Sequence, residues 1–168
     1  IFLGKHLGLA PTQFFWLFVC NGIGILSGAW VSGRIAGQLA PKRQIRHGFV
    51  IMVCAAAVNL LANFVFTAHP AWALLPMMVS CFGWALMNPA ITLLLLDLHP
   101  DRRGMAASLQ IFTASMANSI TAGLLAPLAM HSTVSLAWMS AAILSVGLFA
   151  WILAHRRWPE IGKVILRA

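Results

Sequence analysis

Charge is what this sequence has least of: 8% of its 168 residues are charged, and only three of them are acidic. A water-soluble domain covers its surface with roughly a quarter of its residues charged. At 8% no such surface can be built, and a hydrophobic content of 61% with a mean hydropathy of +0.88 points to lipid as the main solvent. The acids are also badly placed for membrane chemistry. Asp97, Asp101 and Glu160 stand at or beyond the ends of apolar blocks, so no block carries a carboxylate near its centre. Cysteine is scarce as well. Cys20, Cys54 and Cys81 are odd in number and show neither a disulfide framework nor metal-ligand spacing. Their apolar surroundings predict buried, inert thiols, and no metal or cofactor is expected. Paired carboxylates, clustered histidines and Ser/Lys dyads are all missing from the apolar blocks, so an intramembrane enzyme is not expected. A signal-peptide pattern is missing too. The opening Ile1-Phe2-Leu3-Gly4 reads as the tail of a hydrophobic segment, which predicts a chain cut from something longer.

What charge there is falls in short clusters. The net charge of +8 would raise nucleic acid as a partner only if a continuous polar surface carried it. Long uncharged stretches separate these clusters, so nucleic acid is not expected and the lipid bilayer is. A membrane span needs about 20 apolar residues at ~1.5 Å rise each. On that measure the charge-free blocks hold five spans, at about 12–36, 48–68, 72–96, 104–128 and 134–154, with a tail at 155–168. Turns are marked by His69-Pro70 and by His131-Ser132-Thr133. Lys42, Arg43 and Arg46, with Arg34 just before them, occupy the first link, Arg102 and Arg103 the third, and Arg156 and Arg157 the tail. The two His turns carry no Lys or Arg, and only Lys5 lies on their side. The positive-inside rule therefore predicts cytoplasmic basic links and a cytoplasmic C-terminus. All six histidines map to span ends, where interfacial solvation explains them.

Lipid gives helices no hydrophobic reason to associate, so close backbone approach and interhelical hydrogen bonds must hold a bundle together. The first span offers Gly24-x-x-x-Gly28 and then Gly33-x-x-x-Gly37, both expected to pack against neighbouring helices. In the third span Pro89 removes a backbone donor and is expected to kink or break the helix. Asn88 before it either lines a cavity or satisfies the carbonyl that Pro89 frees. The fourth span is the most polar, with Ser108, Gln110, Thr113, Ser115, Asn118, Ser119 and Thr121. Such a set lines a neighbouring helix or a water-filled cavity, and taken together it predicts a cavity. The cavity residues expected are Trp84, Asn88, Gln110 and Asn118, with Asn21 of the first span behind them.

The segment Asn88-Pro89-Ala90, followed by the run from Asp97 through Pro100, Arg102, Arg103 and Gly104 to Gln110, resembles the tenth-to-eleventh helix region of major facilitator drug efflux proteins. It is similar to the Pro-x-x-x-Gly-x-Ala-Ser-Ser-Leu run of Bcr/CflA-type multidrug transporters, departing from it at Ala107. The link from Gly33-Arg34 to Lys42-Arg43 resembles the second copy of that superfamily's loop motif, but Gly37 stands where an Asp is expected. The resemblance covers nearly the whole chain. It implies an all-α integral membrane fold: the end of helix seven at 1–5, then helices eight to twelve, forming most of the C-terminal six-helix bundle. It further implies a secondary transporter that exports drugs or small metabolites across a bacterial inner membrane, driven by a proton gradient. The absence of a midplane acid places the coupling carboxylate in a missing N-terminal helix bundle. Alone, this half is not expected to transport. Its substrate would be small and amphipathic or apolar. A sugar or nutrient permease and a non-transporting membrane scaffold are the alternatives.

Overall fold

The computed structural model describes residues 15–65, 70–98, 100–129 and 133–157. The predicted end of helix seven at 1–5, His69 and His131 of the two turns and the tail beyond Arg157 lie outside the described residues. Within them the chain is helical, with no strand. Helix α1 spans Phe15–Ile35, α2 Pro41–Val65 and α3 Pro70–Leu98. A 3₁₀ turn at Pro100–Arg102 leads into α4, Arg103–Ile120, which continues through a π-helical stretch at Thr121–Leu125 into the single turn α5, Ala126–Ala129. Helix α6, Thr133–Arg157, closes the described chain.

Among the described residues four stretches are long and apolar enough to cross a membrane: Pro41–Leu61, Leu74–Leu98, Pro100–Leu128 and Ala137–Ala154. Helix α1 matches them in length at 21 residues, and Arg34 in its last turn is its one charged side chain. The outer surface fits the same solvent. Phe18 is 74% exposed and Leu26 72%, and large apolar patches of this kind are rare on proteins that face water. These are the helices of a multi-pass membrane protein.

The α1–α2 link differs from its expectation. Gly37 takes φ +78°, a left-handed conformation that glycine adopts without steric cost and that ends a helix. The Ala40 carbonyl accepts hydrogen bonds from Arg43 N at 2.8 Å and Gln44 N at 3.2 Å. Pro41 then opens α2 in the first helical position, where its missing N–H removes nothing. Lys42, Arg43 and Arg46 consequently sit on the first turns of α2 rather than in a loop, and His47 lies inside the helix.

Helix α3 is central: α1 and α2 each pack along it, α6 packs on α2, and α4 meets α3 only briefly. Gly24 and Gly28 make the α1 contact. A Cβ on Gly24 would collide with the Met78 carbonyl, and one on Gly28 would lie 2.5 Å from the Phe82 carbonyl. Gly33 and Gly37 do not pack as expected, since a Cβ on either would meet nothing within 4 Å. At ~100° per residue Gly33 lies about 180° round the helix from Gly24. The residue that continues the Gly24–Gly28 stripe is Ser32, and all three are buried.

The second close crossing joins α2 to α3. A Cβ on Gly48 would stand 2.8 Å from the Gly83 carbonyl, and one on Gly83 would stand 2.9 Å from the Gly48 carbonyl. Beside it lies a core of Ile45, Phe49, Met87, Ala90 and Leu94, which Leu144, Leu148 and Trp151 of α6 cover from outside. The Phe49 and Trp151 rings stack with centroids 6.4 Å apart. Gln44 ties three helices at this level. Its Nε2 donates to Ser32 Oγ on α1 at 2.7 Å and to the Leu86 carbonyl on α3 at 2.8 Å.

These contacts bring the C-terminal ends of α1, α3 and α6 to the same end of the bundle as the N-terminal ends of α2 and α4. Arg34, Lys42, Arg43, Arg46, Arg102, Arg103 and Arg156 therefore gather at that end. Arg34 lies 4.6 Å from the Trp30 ring centroid. Asp97 and Arg103, both solvent-exposed, stand 3.7 Å apart at the same end.

Candidate functional site: a polar strip on the third helix

The strip begins with helix periodicity. At ~100° per residue, Cys81, Trp84, Asn88 and Thr92 share one side of α3, away from the face that meets Gly48. Hydrogen bonds anchor both ends. At one, Cys81 Sγ donates to Asn21 Oδ1 of α1 at 3.6 Å. At the other, Gln110 Nε2 of α4 donates to Thr92 Oγ1 at 2.9 Å, and Thr92 Oγ1 donates to the Asn88 carbonyl at 3.1 Å. Between them Trp84 is 47% exposed. The half-buried Asn88 amide makes no side-chain hydrogen bond among the described residues.

Four of the five expected cavity residues, Asn21, Trp84, Asn88 and Gln110, therefore lie along this strip or hydrogen-bond to it. Asn118 does not. It is exposed on α4, and its side-chain amide makes no hydrogen bond among the described residues. The reason lies in the path of α4. Ala106 is buried and Gln110 half-buried, but every residue from Ile111 to Ile120 is exposed. That includes Ala117, which stands on the same side of α4 as Gln110, so α4 has left α3 by that point. The hydroxyls of this helix are largely self-satisfied: Ser108 donates to Met105 O at 3.0 Å, Thr113 to Leu109 O at 2.9 Å and Thr121 to Ala117 O at 2.8 Å.

Pro89 does not break α3, which runs unbroken with both Pro76 and Pro89 inside it. Nor does the Asn88 side chain satisfy the carbonyl that Pro89 frees, leaving its amide open to the strip. The π-helical stretch on α4 was not foreseen from sequence. There Ala126 N bonds to Thr121 O, five residues back, and such bulges recur at functional sites. The expectation of buried thiols fails for Cys54, which is exposed, while Cys20 and Cys81 are half-buried. Gln44, Ser32, Gly48 and Gly83 organise the bundle but were missed as packing residues. Gln44 was hidden inside a link read by its charges, and the two glycines stand alone on separate helices.

Chemically the strip offers an indole face, an open amide and a hydroxyl–amide pair. These can stack on and hydrogen-bond to an amphipathic molecule. None of these groups changes charge near neutral pH, so the strip itself moves no proton. No group of three His, Cys, Asp or Glu among the described residues could hold a metal. No family model, curated protein or solved structure matches the chain.

Proposed function

We propose that this chain is the C-terminal helical half of a major facilitator-type secondary transporter, similar to Bcr/CflA drug exporters, moving small amphipathic molecules out across a bacterial inner membrane. The observation that carries this reading is α4. Beyond Gln110 it is exposed on all sides, yet most of its polar side chains lie on one of them. At ~100° per residue Ser115 and Asn118 lie roughly opposite Leu109, Met116 and Ile120. A polar side that meets neither a helix nor water is costly in lipid, so a second bundle would face it across an aqueous path that the α3 strip also lines. Alternating access would rock the two bundles about that path. The gathered Arg and Lys residues would mark the cytoplasmic end, and the other bundle would supply the carboxylate that couples transport to protons. Few polar groups and an exposed tryptophan suit an amphipathic substrate better than a sugar.

The test uses everted membrane vesicles from cells making the protein that contains this chain, with ethidium as the fluorescent probe. Uptake should collapse on adding a protonophore. Asn88→Leu and Gln110→Leu should each lower it about five-fold or more, near the worth of one lost hydrogen bond, at unchanged membrane content. Equal uptake by both variants would remove the strip from the transport path.

A further inference from the structure

A crevice of about 270 Å³ opens on the outer surface between α2 and α6, lined by Arg46, Phe49, Val50, Val53, Cys54, Leu148 and Trp151. It lies away from the α3 strip, and neither the packing of the bundle nor the proposed transport path uses it. Its chemistry is two-ended. Along most of its length the walls are apolar. At the basic end of the bundle stands Arg46, exposed, with no ion pair or hydrogen bond among the described residues. Arg43, also exposed, sits one turn earlier on the same side of α2. The Phe49–Trp151 stack forms the floor, and behind it Ile45 is fully buried, so the floor cannot readily collapse into the crevice.

We propose that this crevice binds one anionic phospholipid, its phosphate at Arg46 and Arg43 and an acyl chain along Val50, Val53 and Leu148. The inference rests on the reading of the chain as membrane-embedded but not on transport. An apolar molecule alone would leave the cations unpaired, and a free anion would leave the walls exposed. An anionic lipid satisfies both. Basic pockets between membrane helices bind acidic headgroups for this reason.

Carbonate extraction of membranes first tests the reading beneath the proposal, because a chain released by it is not embedded and the lipid site falls too. The full chain is then purified in detergent and its lipid adducts counted by native mass spectrometry with phosphatidylglycerol or phosphatidylcholine. Phosphatidylglycerol should be retained about five-fold better, the preference expected from one or two interfacial cations. Arg46→Ala should erase that preference, whereas Arg102→Ala, at the same end but outside the crevice, should not. Val53→Trp, which fills the crevice and keeps the charge, should remove the retained adduct. Equal retention of the two lipids, wild-type retention by Arg46→Ala, or complete displacement by millimolar inorganic phosphate would overturn the proposal while leaving the membrane reading in place.

Discussion

Gly83→Val is expected to force α2 and α3 apart and to cost about 3 kcal/mol of stability or more. The first added carbon would stand 2.9 Å from both the Gly48 carbonyl and Met52 Cγ, with Ile51 Cγ2 at 3.2 Å. Met52 can rotate away, but a backbone carbonyl inside a helix cannot. The helices must then separate, and valine's two further methyl groups widen the gap. In lipid no hydrophobic gain drives them back together, because packing and hydrogen bonds supply the association. Separation would also loosen the Gln44–Leu86 hydrogen bond and the Ile45–Met87 core beside it. Gly28→Val should act in the same direction on α1, where the Phe82 carbonyl is the obstacle. Gly33→Ala is the control and should change stability by less than about 0.5 kcal/mol, since a Cβ there meets nothing within 4 Å. Unfolding in mixed micelles titrated with SDS reads all three. A Gly83→Val protein as stable as wild type would mean that the helices do not cross where described.

The second large effect belongs to Gln44, 5% exposed and bonded to two other helices. The Leu86 carbonyl can only accept, so the group facing it must donate, and the two hydrogens of one amide nitrogen serve Leu86 and Ser32 together. Gln44→Leu keeps much of the volume and loses both bonds, at about 2 kcal/mol. Gln44→Glu should be worse. Its ionised carboxylate has no proton to give, and it faces the Leu86 carbonyl with like polarity in a buried position. The same SDS titration, run with Ser32→Ala in a double-mutant cycle, should return a positive coupling between residues 32 and 44. Additive losses would mean that the Gln44–Ser32 bond carries no energy.

Both effects turn on residues that the sequence hides, and the reason is physical. The helices themselves were legible because membrane spans announce themselves by what they exclude: α3 and α6 extend slightly beyond the predicted 72–96 and 134–154. The start of α2 at Pro41 departs from the expected 48, although a glycine that ends one helix and a proline that opens the next both mark it. Reading the link by its charges alone concealed it, and concealed Gln44 with it. The paired glycines show the limit of local spacing. Gly24-x-x-x-Gly28 and Gly33-x-x-x-Gly37 look equivalent in sequence, yet only the first has a helix opposite it. The other half of the crossing, Gly48 against Gly83, has no local pattern because its two glycines belong to different helices. At the strip, periodicity sufficed to place Trp84 and Asn88 together. That Gln110 would reach Thr92, and that α4 would then leave α3 and carry Asn118 away, depends on the angle between two helices, which single residues do not encode.

The central claim is that the polar side of α4 faces an aqueous path through the membrane, and cysteine accessibility tests it most directly. With Cys20, Cys54 and Cys81 replaced by serine or alanine, single cysteines are placed at Ser115, Asn118, Met116 and Ile120. Each is then treated in native membranes with a membrane-impermeant maleimide. The account predicts that Ser115→Cys and Asn118→Cys react about ten-fold faster than Met116→Cys and Ile120→Cys, as water on one side of a helix and lipid on the other require. Four equally unreactive positions, or faster labelling on the Met116 side, would contradict it.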